Sequence, residues 1–211
     1  MPTVVQPRLQ PRLGVREIHI AHTDLGKSEL VRPGAQPIEQ RSTIHFATDL
    51  HRTTDIHRPI LESRSAVWRS EGDCAADAAR LAARPALRDA TVELEGPLGA
   101  GKTTFVRHLL RALGVPGRIK SPTYAVLEPY EVAGLAVSHL DFYRFENARE
   151  WDDAGLREVF GAPGLKLAEW PSHARAALPV PDLRITIEPR DDDARDVRFD
   201  AFTPRGAELV R

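Results

Sequence analysis

Cysteine occurs once, at Cys74, so an intramolecular disulfide framework and a cysteine-built zinc site are both excluded. Cys74 lies among alanines and reads as a small core residue. No apolar run approaches the roughly 18 residues that a membrane-spanning helix needs. No segment combines the basic, apolar and small-residue regions of a secretory leader. The expectation is a cytoplasmic protein with no membrane partner. Net charge is also nearly absent: a formal balance of −1 argues against a surface that coats nucleic acid. It leaves open a local patch, or a protein partner that holds RNA. Lysine is scarce, with 4 Lys against 25 Arg. One of the four stands at Lys102, where an ammonium and a guanidinium are not interchangeable.

A length of 211 residues allows one domain with an appendage, and 42% apolar with 28% charged residues is ordinary globular composition. The first 60 residues lack aromatics except Phe46, hold 6 Pro, and keep no helical or strand period. With little to bury, such a stretch does not offset its ordering entropy. We therefore expect a disordered extension over 1–61 and a folded domain over 62–211. A mitochondrial transit peptide is the weaker reading, because those segments are poor in acids and this one is not. The extension carries 5 of the 8 His, but without the ligand spacing that would favour a metal. A downstream translation start would require a non-Met codon, since Met1 is the only Met.

The best-defined signal is Thr91-Val92-Glu93-Leu94-Glu95 followed by Gly96-Pro97-Leu98-Gly99-Ala100-Gly101-Lys102-Thr103-Thr104. It matches the P-loop pattern G-x-x-x-x-G-K-[ST], and its setting is right: an alternating strand, a glycine-rich turn, then a helix. Backbone N–H groups of the turn and the positive end of that helix point at one anion. Glycine is required because a Cβ would block close approach and positive φ. Lys102 is read as the point charge for the β- and γ-phosphates, and the Thr103 hydroxyl as a Mg²⁺ ligand. Phe105, Val106, Leu109, Leu110 and Leu113 make one apolar stripe, and Gly114 stands at the helix stop.

Around this unit the chain reads as alternating strands and helices. Ala66-Val67-Trp68 is a first strand. Ser70 and Asp73 form a capping box for a helix from about Gly72 to Ala83. Ala125–Glu128 and Leu135–Phe142 form a hairpin with a turn near Ala133-Gly134. Asp141 ends the second run, where a Mg²⁺-coordinating carboxylate belongs downstream of a P-loop; a plain strand-terminal Asp is the bland alternative. His139 faces the same way, and a structural histidine is as good a reading as a catalytic one. One acidic helix is expected over Asn147–Phe160, with Trp151, Leu156, Val159 and Phe160 inward. Asp152–Gly155 fits the GTPase D-x-x-G pattern but lies inside that helix, and [NT]-K-x-D is missing, so guanine specificity is not expected. A strand Leu165–Ala168 closes at Glu169-Trp170-Pro171. Glu169 suits Mg²⁺ or water, and Trp170 suits either the core or a nucleotide base. A last hairpin, Leu183–Glu188 with Asp196–Ala201, turns at the solvated Asp191-Asp192-Asp193. The expected fold is α/β: a P-loop NTPase-like mixed, largely parallel sheet flanked by helices, with a C-terminal hairpin.

Taken together, Gly96–Thr104, Lys120-Ser121-Pro122-Thr123-Tyr124, His139-Leu140-Asp141-Phe142-Tyr143-Arg144 and Glu169-Trp170-Pro171 resemble the TsaE (YjeE) family of small bacterial P-loop ATPases. That family is required for threonylcarbamoyladenosine formation in tRNA. The resemblance runs from about residue 66 to 211. It departs mildly at Pro97, where an acid is common, and at Phe142, where Leu is common. It implies an ATPase that binds ATP and Mg²⁺ and works with the threonylcarbamoyltransferase subunit and its paralogous partner (TsaD and TsaB type), with only indirect contact to tRNA. It implies that Lys102, Asp141 and Glu169 are catalytic, with Thr103, Asp141 and Glu169 around the metal. Gly96, Leu98, Gly99, Ala100, Gly101, Thr103 and Thr104 would cradle the nucleotide. Ser121 and Thr123 would belong to a loop sensing the γ-phosphate, and Trp170 would lie near the adenine. Isolated turnover should be slow, with Arg144 or a partner's residue as arginine finger; Arg195 aligns too loosely to assign. The rivals are a small P-loop kinase, which needs an Arg-rich lid that no compact segment supplies, and a non-catalytic nucleotide-binding adaptor.

Overall fold

The computed structural model describes residues 59–146 and 149–211. The expected extension lies outside the described residues except for 59–61, which lead into the first strand. Seven strands form one sheet: β1 (Glu62–Trp68), β2 (Thr91–Glu95), β3 (Leu127–Val132), β4 (Leu135–Asp141), β5 (Leu165–Glu169), β6 (Leu183–Pro189) and β7 (Arg195–Ala201). Five α-helices accompany them among the described residues: α1 (Glu71–Ala82), α2 (Lys102–Ala112), α3 (Arg149–Asp153), α4 (Leu156–Gly161) and α5 (Pro204–Val210). Strand order is β1-β7-β6-β2-β5-β4-β3. The sheet is mixed, as expected, with β6, β2, β5 and β4 parallel at its centre and antiparallel pairs at both margins.

β2 is the axis of the molecule. Val92, Glu93 and Leu94 are all buried, the pattern of a parallel strand covered on both faces. On one side, Trp68 of β1 stacks on Phe105 of α2, with centroids 5.5 Å apart, inside the main core. A second cluster gathers Leu140, Phe142, Phe145, Trp151 and Leu156 beneath α3 and α4. α1 begins at the expected capping box, with Asp73 N donating to Ser70 Oγ and Ser70 N donating back to Asp73. The β3–β4 turn places Ala133 and Gly134 at φ +48° and +68°, the mirror-image turn that suits strand twist.

Several local expectations are corrected. β1 starts at Glu62, not Ala66, because it pairs with β7 along its whole length, Glu62 to Ala201. Val126 does not extend the hairpin: it sits at φ +65°, an outlier for a β-branched residue. The single helix expected over Asn147–Phe160 is two, α3 and α4, separated where Gly155 takes φ +63°. Asn147 itself lies outside the described residues. The chain does not end on the β6–β7 hairpin, because α5 follows it. Thr203 caps α5 and Pro204 opens it. A Cβ on Gly206 would lie 1.8 Å from the Asp182 carbonyl oxygen, so only glycine lets α5 seat there.

Candidate functional site

Strand register assembles the site. In the parallel β4–β5 pair Asp141 stands opposite Glu169, and in β2–β5 Glu169 stands opposite Leu94. Gly96 follows two residues after Leu94. Residues far apart in the chain therefore meet at the carboxyl end of the parallel strands, the crevice in which α/β sheets bind ligands.

The turn between β2 and α2 has the glycine-dependent backbone that the sequence predicts. Gly96, Gly99 and Gly101 take φ +141°, +78° and +110°. A Cβ on Gly96 would fall 2.3 Å from the Ile187 carbonyl oxygen. Lys102 is buried, its ammonium donating to the carbonyls of Gly96 (2.6 Å) and Pro97 (2.9 Å). It also lies 3.6 Å from the centre of the Trp170 ring. Burial pulls its pKa below the usual lysine range, and the carboxylates of Glu169, Asp141 and Glu95 oppose that pull.

The two carboxylates are held by hydroxyls. Thr103 Oγ1 donates to Glu169 Oε2 at 2.8 Å. Thr123 Oγ1 donates to Asp141 Oδ2 at 2.7 Å, with Ser121 Oγ at 3.4 Å from the same oxygen. The Tyr143 amide donates to Asp141 Oδ1 at 3.0 Å. The loop carrying Ser121 and Thr123 is closed by Val126 N to Pro122 O (2.7 Å) and Asp141 N to Val126 O (3.0 Å). Val126 and Trp170, both at positive φ, thus flank the two carboxylates, and backbone strain of this kind collects at functional sites.

One cleft of about 260 Å³ collects most of the predicted residues: Leu98, Gly99, Gly101, Lys102, Thr103, Thr104, Thr123, Asp141, Glu169 and Trp170, joined by Tyr143. Ala100 is buried behind it, Gly96 lies under Lys102, and Ser121 reaches it through Asp141 and Thr123. Arg144 does not line this cleft; its guanidinium sits 4.1 Å from the centre of the Tyr124 ring. Arg195 lines a second cleft of about 210 Å³ across the P-loop, with Trp68, Cys74, Gly99 and Thr104. Burial pushes the Cys74 thiol there up to about 12, which makes it inert.

Sequence reasoning weighed His139 without finding its partner, and left out two further groups. His139, fully buried, has Nε2 2.8 Å from Glu169 Oε1; the H-x-D spacing was the signal, since both residues share a strand face. Tyr143 packs on Trp170 at 5.0 Å between centroids. Arg175 binds Glu93 (3.2 Å) and Glu95, and Arg184 binds Glu93 at 2.9 Å, tying the segment after Trp170 to the P-loop strand. Burial raises the pKa of Glu93, opposed by those two guanidiniums. No local pattern announces that network. Among the described residues no group of three or more His, Cys, Asp and Glu forms a metal cage, and no helix is long and apolar enough to cross a membrane.

Comparison with known proteins gives the family and the fold. Residues 68–197 match the family described as "Threonylcarbamoyl adenosine biosynthesis protein TsaE". The chain is 38% identical over 119 residues to the "tRNA threonylcarbamoyladenosine biosynthesis protein TsaE" of Haemophilus influenzae, covering 56% of this chain and 75% of that protein. It is 38% identical over 127 residues to the protein of the same name in Bacillus subtilis, covering 60% and 79%. The crystal structure of Bacillus subtilis YdiB superposes with a TM-score of 0.59 at 29% identity, over 70% of this chain and 91% of that one.

Proposed function

This chain belongs to the TsaE family, and from that premise we propose a cytoplasmic ATP hydrolase that supports threonylcarbamoyladenosine formation in tRNA. Its partners are the threonylcarbamoyltransferase subunit and that subunit's paralogue, whose complex it resets or activates between rounds. The tRNA is contacted through those partners, and no membrane takes part. The observation that carries this reading is the pairing of a phosphate cradle with two hydroxyl-held carboxylates, Thr103 on Glu169 and Thr123 on Asp141. A bare anion site has no use for the second pair.

The donors facing the cleft are hydroxyl and carboxylate oxygens. That set fits Mg²⁺, which takes one or two carboxylates together with substrate phosphates. Thr103, Asp141 and Glu169 would hold it, and when bound it neutralises charge on the β- and γ-phosphates. The amides from Leu98 to Thr104 cradle the phosphates, and Lys102 leaves the carbonyls of Gly96 and Pro97 for them. Glu169 orients a water whose oxygen bonds to the γ-phosphorus as the bond to the β–γ bridging oxygen breaks. ADP and inorganic phosphate result, and the water's proton ends on the phosphate. Ser121 and Thr123 register whether the γ-phosphate is there by keeping or leaving Asp141. Trp170 stands beside Lys102 and lines the cleft with Glu169, at the phosphate end, and stays there when the lysine moves to the phosphates. We therefore place the nucleoside across the P-loop, in the cleft of Trp68 and Arg195, and not against Trp170 as the resemblance implied.

Leu98 and Tyr143, which line the cleft, are 77% and 41% exposed, and Tyr124, next in the chain to the lining Thr123, is 82% exposed. An apolar rim at a hydrolytic site suits a docking partner. Among the described residues no arginine lines the cleft, so an arginine finger comes from the partner or from Arg144 swinging off Tyr124. The test is release of inorganic phosphate from ATP by the purified chain, with and without the transferase subunits. Slow release alone, faster with partners and abolished by Glu169→Ala, is expected. Rapid turnover alone, or phosphoryl transfer to a metabolite, contradicts the reading.

A further inference from the structure

His139 is 0% exposed, and its side chain makes one hydrogen bond, from Nε2 to Oε1 of Glu169 at 2.8 Å. Nδ1 has no partner among the described residues. Glu169, as a carboxylate, only accepts, so Nε2 is the donor in this bond. The residue opposite His139 on β5 is Leu167, and Glu169 is the diagonal neighbour two places on. As core filling, a histidine with one nitrogen unsatisfied is inferior to another leucine. Its single bond is spent on the one carboxylate that the hydrolytic reading needs to orient.

The two oxygens of Glu169 have different companions. Oε2 accepts from Thr103 Oγ1, a hydroxyl that the metal and the phosphates also claim under the proposed function. Oε1 accepts from His139, whose ring nitrogen has no second task. We propose that His139 is a positioning residue for ATP hydrolysis: its Nε2–H locks Oε1 of Glu169 and thereby keeps Oε2 turned toward Thr103 and the attacking water. This role rests on the hydrolase reading above. It acts on the chemical step and leaves nucleotide binding to the P-loop, because His139 does not line the cleft.

Side-chain geometry supplies the test. The amide nitrogen of glutamine falls near the Nε2 position of histidine, and that of asparagine near Nδ1. Full-length wild type, His139→Gln, His139→Asn and His139→Leu are compared with the transferase subunits present. The readouts are single-turnover ATP hydrolysis and equilibrium binding of a non-hydrolysable ATP analogue. His139→Leu and His139→Asn should slow hydrolysis about tenfold or more, with affinity held within about threefold. His139→Gln should recover most of the rate. A readout independent of variant folding is the imidazole ¹⁵N spectrum of the wild-type protein, which should show the Nε2–H tautomer. Wild-type hydrolysis unaffected by His139→Leu, equal loss in the Gln and Asn variants, or an Nδ1–H tautomer overturns the positioning role alone. No hydrolysis by wild type overturns the hydrolase reading as well, so the two failures are told apart.

Discussion

The Lys102 ammonium rests 3.6 Å from the centre of the Trp170 ring and donates to two carbonyls of its own P-loop, Gly96 and Pro97. A cation over an indole contributes about 0.5–2 kcal/mol, and carbonyls are weaker acceptors for it than phosphate oxygens. Under the proposed function, the contact is a resting place from which a polyphosphate draws the lysine away.

ATP binding should therefore change Trp170 emission, and Trp170→Phe should remove that part of the change, leaving only what arises from Trp68 beside the proposed nucleoside cleft. Lys102→Ala should lose both the change and measurable binding. A fluorescence titration checks this; an undiminished signal in Trp170→Phe counts against it.

Thr123 donates to Asp141 across the closed Ser121–Val126 turn. A hydrogen bond to a charged group is worth about 1.5–3 kcal/mol, so Thr123→Val should slow hydrolysis roughly 10- to 100-fold, and Thr123→Ser should restore it. Turnover measured under saturating ATP decides; equal rates for Val and Ser would show that the hydroxyl plays no part.

Asp77 is an independent test of the core. Burial by itself raises its pKa, but bonds from Trp68 Nε1 (2.6 Å), Arg80 and Arg64 (2.8 Å) outweigh that and leave it lowered. A folded-state pKa below the unfolded value of about 3.9 gives stability that is present above that value and is lost as pH falls through the folded pKa. Asp77→Asn should cost about 3 kcal/mol at pH 7, and the gap to wild type should shrink as pH falls below about 3.9. Urea unfolding at several pH values checks this; a gap constant with pH contradicts it.

Much of the site was legible because its chemistry is written in contiguous residues. The P-loop needs its glycines, Lys102 and Thr103 in one turn, and Asp141 and Glu169 each end an apolar strand. What sequence could not supply was register, which is non-local: nothing near His139 says that Glu169, thirty residues on, is its diagonal neighbour. The kink at Val126 defies the residue's own β preference and is enforced by its amide's bond to the Pro122 carbonyl and its carbonyl's bond from the Asp141 amide. α5 was missed although Thr203-Pro204 is a helix start, since its apolar face is short and counts only once β7 lies beside it. The resemblance implies that Trp170 lies near the adenine; its contact with Lys102, which no sequence pattern announces, is the ground for the proposal that it stands at the phosphate end.

The division at residue 61 remains a proposal. Because β1 begins at Glu62 and pairs fully with β7, a chain lacking residues 2–61 should stay folded and bind ATP within about threefold of full length. Calorimetric titration of the truncated chain checks this; insoluble or non-binding protein would contradict it.

The most direct test is the threonylcarbamoyladenosine content of bulk tRNA, by mass spectrometry, in cells depleted of this protein and complemented with wild type, Lys102→Ala or Glu169→Ala. The modified nucleoside should fall on depletion and return only with wild type. Unchanged levels on depletion would contradict the role in tRNA modification, and full restoration by Glu169→Ala would contradict the need for hydrolysis.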